Sequence, residues 1–142
     1  MADFVATAET EIHASPAQVW AALTDPELIK RYMFGSQVES DWQQGSPIRW
    51  KGEYEGKPYE DKGEIVEIEP QRRLEVTHFS PLSGQDDVPE NYHTLVYELR
   101  ASGDKTHLTR SQDKNSSEEQ ARQAQALWET MLRGLKEVVE AG

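Results

Sequence analysis

The chain has 142 residues, with 15 Lys and Arg against 26 Asp and Glu, which gives a net charge of −11 at pH 7 and a pI near 4.8. That acidity opposes binding to nucleic-acid phosphates or anionic lipid, and no stretch approaches the roughly 18–20 apolar residues of a membrane span. The absence of cysteine excludes disulfides, thiolate metal sites and cysteine nucleophiles.

The start of the chain carries Asp3, Glu9 and Glu11 where a secretory signal wants a basic start and an apolar run, so a cytoplasmic protein of one domain spanning 1–142 is expected. Phe4 to His13 alternates, with Phe4, Ala6, Ala8 and Ile12 on one side, and predicts a half-buried strand. Ser15-Pro16-Ala17-Gln18 combines a capping serine, a proline at the first helical position and a capping-box glutamine. Val19, Trp20 and Leu23 supply that helix's apolar stripe, and Asp25-Pro26-Glu27 restarts a second short helix to about Met33.

From Gly35 to Asp113 the period is two. Val38, Ser40 and Trp42 alternate, as do Ile48, Trp50, Gly52 and Tyr54, with turns at Gly45-Ser46-Pro47 and Gly56-Lys57-Pro58. A strand over 59–69 loses strict alternation at Ile65, Val66 and Ile68, which suggests a bulge. Leu74, Val76 and His78 share the next face, 80–91 is a loop, and Leu95, Tyr97 and Leu99 precede a turn at Ser102-Gly103-Asp104 and a last strand from Thr106 to Asp113. Short turns between successive strands imply an antiparallel meander. Ser116 and Ser117 offer caps for a final helix to about Glu140, in which Ala121, Ala124, Leu127, Trp128, Met131, Leu135 and Val138 recur at steps of three and four.

One antiparallel sheet with a long terminal amphipathic helix is an α+β layout. A twisted sheet cannot touch a straight helix everywhere, so a cleft can remain between them. Its expected lining is Trp42, Trp50, Tyr54, Ile65, Val76, His78, Tyr97, Trp128 and Met131, apolar walls with a few polar tips. The run from Ile12 through Ser15-Pro16, Val19-Trp20 and Leu23 to Asp25-Pro26-Glu27 resembles the opening signature of the START-like (SRPBCC) helix-grip superfamily. It is most similar to the branch named after the activator of the heat-shock-protein-90 ATPase. Gly63 to Pro70, Arg73-Leu74, Thr94 to Leu99, and Trp128 with Leu132, Leu135, Lys136 and Glu140 agree in order and spacing. The resemblance implies a curved antiparallel sheet gripping the C-terminal helix around a cavity that often holds an apolar ligand. Two positions depart from the family: Tyr32 stands where Trp is usual, and Gln44-Gly45 where Gly-Gly is usual. Both lie near the expected cavity entrance or a turn, so Tyr32 joins the candidate lining and no ligand identity carries over. The eukaryotic co-chaperone also has a separate N-terminal domain, for which 142 residues leave no room.

None of His13, His78, His93 and His107 has metal-helix spacing, the acidic group Asp86, Asp87 and Glu90 reads as a solvated loop, and glycine-rich phosphate loops are missing, so neither metal nor cofactor is expected. Ser46, Ser83 and Ser102 stand outside any nucleophile elbow. Three readings of function follow. The first is a binding module for a small hydrophobic or amphipathic molecule, as a monomer or weak dimer. The second is an enzyme resembling polyketide aromatase/cyclases, with His78 the candidate proton carrier. The third is an interaction protein, as in chaperone activation.

Overall fold

The computed structural model describes residues 4–33, 35–54, 56–81, 84–115 and 117–141. Strand β1 (Phe4–Ile12) leads into helices α1 (Pro16–Thr24) and α2 (Pro26–Tyr32). Strands β2 (Gln37–Ser40), β3 (Pro47–Tyr54), β4 (Lys57–Glu69) and β5 (Arg73–His78) follow; a short 3-10 turn at Pro89–Asn91 then precedes β6 (His93–Ser102) and β7 (Lys105–Asn115). Helix α3 (Glu118–Ala141) ends the described chain, and its 24 residues span about 36 Å. The seven strands form one sheet in the order β1-β7-β6-β5-β4-β3-β2, antiparallel throughout. This is the helix-grip fold.

Local chemistry accounts for the two short helices. Ser15 Oγ accepts from the Gln18 N–H at 3.3 Å, and Gln18 Oε1 accepts from the Ser15 N–H at 3.0 Å. Asp25 closes α1 by donating its N–H to the Ala21 carbonyl, and opens α2 by accepting from the Glu27 N–H at 3.0 Å. One residue therefore ends a helix and begins the next, and Pro26 prevents the two from merging.

The sheet curls because β4 changes partner along its length. Residues 57–64 pair with β3, whereas 65–69 pair with β5 after a register shift between Ile65 and Glu67. Gly63 sits at the changeover, where a Cβ would stand 1.7 Å from the Thr77 carbonyl oxygen. No side chain fits there without parting β4 from β5. The irregularity expected from Ile65, Val66 and Ile68 is thus a bulge that bends the strand.

Three expectations need correction. Trp42 is outside β2, with φ of 55° and its N–H donating to Ser40 Oγ at 3.0 Å; this left-handed step breaks the alternation the sequence suggested. The turn after β3 is tighter than Gly56-Lys57-Pro58, because β4 already begins at Lys57 and Gly56 takes φ of 80° in a two-residue connection. On α3, Leu127 is 45% exposed whereas Leu132 is buried. Leu132 occupies the stripe beside Met131 and Leu135, next to where Gly134 approaches Tyr32 of α2 and Lys136 bonds the Glu11 carbonyl of β1. Of the turn candidates for capping α3, Ser117 Oγ accepts from the Gln120 N–H at 3.1 Å, and Ser116 falls outside the described residues.

The core runs from Ile12, Val19 and Leu108 through Leu74, Val76 and Leu95, and is closed by Met131, Leu132 and Leu135. The far end of α3 is fastened to β1 by polar bonds. Lys136 Nζ donates to the Glu11 carbonyl at 2.9 Å and to Glu140 at 2.6 Å, and Glu140 also accepts from the His13 N–H at 2.9 Å. Phe79 stacks on Tyr92 at 5.1 Å between ring centres, which closes the base of the 80–91 loop. No described helix is long and apolar enough to cross a membrane.

Candidate functional site

Between the sheet and the first half of α3 lies a cleft of about 220 Å³, walled by Met33, Ser36, Trp50, Tyr59, Asp61, His78, Leu95, Arg110, Gln112, Leu127, Trp128 and Met131. Deeper in, a second space of about 20 Å³ lies among Tyr32, Trp42, Val76, Tyr97 and their neighbours, with Met33 and Trp50 lining both spaces. The inner space has room for about one water molecule. A wider depression of about 570 Å³ lies elsewhere, among Glu9, Arg73, Glu98, Arg100 and His107. Its charged side chains face solvent on the outer side of the sheet, and Arg73 is already ion-paired with Glu67, Glu75 and Glu98, so the smaller, better enclosed cleft is the candidate site.

Each wall follows from strand alternation. On β7, Thr106, Leu108 and Arg110 point the same way and are all buried. Arg110 is 1% exposed, and its guanidinium carbon stands 3.4 Å from the centre of the Trp128 ring and 5.2 Å from that of Tyr97. Its Nη1 donates to the Met131 sulfur at 3.8 Å, a weak acceptor. Among the described residues no carboxylate lies within 4.0 Å of it. Burial pushes the Arg110 pKa down, opposed by Tyr97 and Tyr32, yet a guanidinium stays charged at neutral pH. Burying an ion costs several kcal/mol even after relaxation, and stacking on Trp128 offsets about 2 kcal/mol of that.

The opposite wall comes from β3, β4 and β5. Trp50 and Asp61 are cross-strand partners, and the Trp50 ring meets the His78 ring edge-on at 4.9 Å between centres. His78 Nε2 donates to Asp61 Oδ2 at 2.9 Å, which orients the imidazole. Asp61 Oδ1 is buried and has no partner within the protein. Gly52 lets the Tyr59 ring lie flat across β3, since a Cβ there would stand 2.6 Å from the Tyr59 hydroxyl oxygen. That hydroxyl hydrogen-bonds Ser36 Oγ at 2.8 Å. Among the described residues three buried side-chain polar atoms lack a partner: Arg110 Nε, Trp128 Nε1 and Asp61 Oδ1. All three belong to residues lining the one cleft.

A family model described as the activator of Hsp90 ATPase homolog 1-like protein matches residues 13–140. The chain belongs to this family. It is 45% identical to the solution structure of ChR145 from Cytophaga hutchinsonii, covering 96% of this chain and 94% of that one with a TM-score of 0.85. The Aha1 dimer from Colwellia psychrerythraea shares the fold at 18% identity over 100% and 98% of the two chains, TM-score 0.74. Ara h 8.0201 does so at 14% identity over 99% and 100%, TM-score 0.75. No curated protein matches.

In this family member the sequence candidates divide by place. Trp50, His78, Trp128 and Met131 reach the open cleft; Tyr32, Trp42, Val76 and Tyr97 line the small inner space; Ile65 lines neither and is wholly buried. The Tyr54 side chain lies outside the described residues. Tyr32 donates its hydroxyl to the Ala22 carbonyl at 2.6 Å, and burial raises its pKa well above the ordinary value, so it is a neutral strut between α1 and α2. The sequence reading missed Arg110, Asp61, Tyr59 and Ser36. A signal existed for Arg110, which is in phase with Thr106 and Leu108 and opposite Tyr97, a position where a surface arginine does not belong.

Elsewhere, Asp87 pairs with Lys62 and accepts from the Tyr92 hydroxyl at 2.6 Å. Those two donors, Lys62 first, hold its carboxyl below the usual range. No described group of three His, Asp or Glu is placed to hold a metal ion.

Proposed function

We propose that the protein binds a small amphipathic molecule in the cleft between the sheet and α3. One observation carries this reading: the buried polar atoms without a partner among the described residues, Arg110 Nε, Trp128 Nε1 and Asp61 Oδ1, all belong to side chains on the wall of this same cleft. Elsewhere buried polar groups find partners in the protein, because leaving one unpaired costs about 1–3 kcal/mol. A bound molecule with an apolar body and a few polar groups would cover Leu127 and Trp128, and would reach these sealed atoms once the side chains over them shift. An apolar cavity of about 150 Å³ holds a benzene ring, so a cleft of about 220 Å³ suits a substituted ring system. The test is native mass spectrometry of the protein as purified and with a panel of aromatic and fatty acids. The expected result is an added mass that a Trp128→Ala variant loses while still folding; clean apo masses throughout would overturn the reading.

A second reading, proton-transfer catalysis on a polyketide-like substrate, is favoured by the His78–Asp61 pair. The carboxylate fixes the imidazole tautomer so that the other ring nitrogen is left to accept or give a proton. Trp50 packs against the ring and limits its rotation. If His78 acts on bound substrate, His78→Ala lowers turnover by orders of magnitude with little change in ligand affinity. An unchanged rate would leave binding alone.

A further inference from the structure

Resting on the reading of the cleft as a ligand site, we infer that its ligand is an anion, a ring-containing molecule whose carboxylate or other oxyanion lies against the edge of Arg110. The guanidinium carbon lies 3.4 Å from the centre of the Trp128 ring and 5.2 Å from that of Tyr97, and the Tyr97 side chain also hydrogen-bonds the guanidinium. Nη1 is directed to the Met131 sulfur. The edge that carries Nε has no protein acceptor, and a planar oxyanion is the group that such an edge binds best. The Trp128 indole N–H, on the ring stacked against Arg110, is a second buried donor without an acceptor.

The cation is internal in a protein whose net charge is −11, so general basicity does not explain it. The half-buried cations Arg73 and Lys62 on the surface, by contrast, are matched by Glu67, Glu75, Glu98 and Asp87. The carboxylate within the cleft, Asp61, lies on β4, three strands away from β7 in the sheet order, and is engaged by His78 of β5. The two charges thus define two poles: an oxyanion at Arg110, and a neutral or donor-bearing part of the ligand toward Asp61. Leu127, 45% exposed at the rim, offers an apolar contact for the portion that emerges.

The test compares 2-naphthoate with its uncharged counterpart 2-naphthamide, titrated into the whole protein while the tryptophan indole N–H resonances are followed by NMR. Wild type is expected to bind naphthoate about tenfold tighter or more, with the Trp128 signal moving. Arg110→Met is expected to erase that preference while still binding the amide. Arg110→Lys should keep only part of it, since an ammonium lacks the planar edge. Equal affinities in wild type, with the cleft signals moving, would overturn the anion inference and leave the cleft reading standing. Naphthoate that shifts only outer-face signals would also overturn it. If neither compound moves the cleft signals, both readings fail. The wild-type comparison decides the matter even if an Arg110 variant does not fold.

Discussion

The two halves of α3 meet the same sheet and end differently. The C-terminal half is zipped down: Leu132 and Leu135 are buried, Gly134 brings the backbone close enough to α2 that a Cβ would be 3.2 Å from the Tyr32 Cβ, and Lys136 and Glu140 tie the helix to β1. In the preceding turns Ala121 is buried, but Leu127 is exposed and Trp128 lies half-buried over Arg110 and the cleft. A straight helix crossing a curled sheet makes close contact along only part of its length. Stability is concentrated at one end, and the unsatisfied polar atoms at the other.

Four changes test that contrast. Leu135→Ala, at the packed end, should cost about 2–5 kcal/mol in urea unfolding, since it truncates a wholly buried side chain and leaves a cavity. Arg110→Met should raise the unfolding free energy by about 1 kcal/mol, because it removes a buried charge that has no carboxylate partner. A clear destabilisation there would mean that the cation serves the fold rather than a ligand.

The polar fastening at the packed end makes a pH-dependent prediction. Glu140 is held below the usual carboxylate range, first by the Lys136 ammonium and then by the His13 N–H. A lowered folded-state pKa gives stabilisation that is complete above the unfolded carboxylate range and is lost as pH falls through the lowered value. The urea midpoints of wild type and Glu140→Gln should therefore differ near pH 7 and converge in acid; a gap that widens in acid would refute the assignment. Leu127→Ala should change stability by no more than about 0.5 kcal/mol. A loss comparable to that of Leu135→Ala would erase the distinction between the two halves.

Much of the architecture was legible in local patterns. The Ser15 capping box and the Asp25 restart occur as their sequences suggest, because a cap needs only neighbours within three residues. The bulge near Ile65 and the apolar faces of β5, β6 and β7 were readable from period two. The cleft was less legible. Trp50, His78, Trp128 and Met131 were in view as members of inward faces, but Trp42 left its strand through a left-handed residue that alternation cannot report. Arg110 and Asp61 were passed over, since a charged residue on a strand is ordinarily assigned to solvent. Only the pairing of β7 with β6, and of β4 with β3, reveals what those two side chains face.

Short-range chemistry and regular spacing in the sequence therefore determined the elements, their order and the α+β layout, and the resemblance of its motifs pointed to the helix-grip fold and the family. Tertiary structure alone decided where the helix touches and where it stands away. It also decided which charged groups are sealed inside, and that the unpaired ones gather in one cleft. Those outcomes depend on how far the sheet bends at Gly63, where a backbone approach between β4 and β5 leaves no room for a Cβ. That approach joins residues distant in sequence, so no local pattern records it.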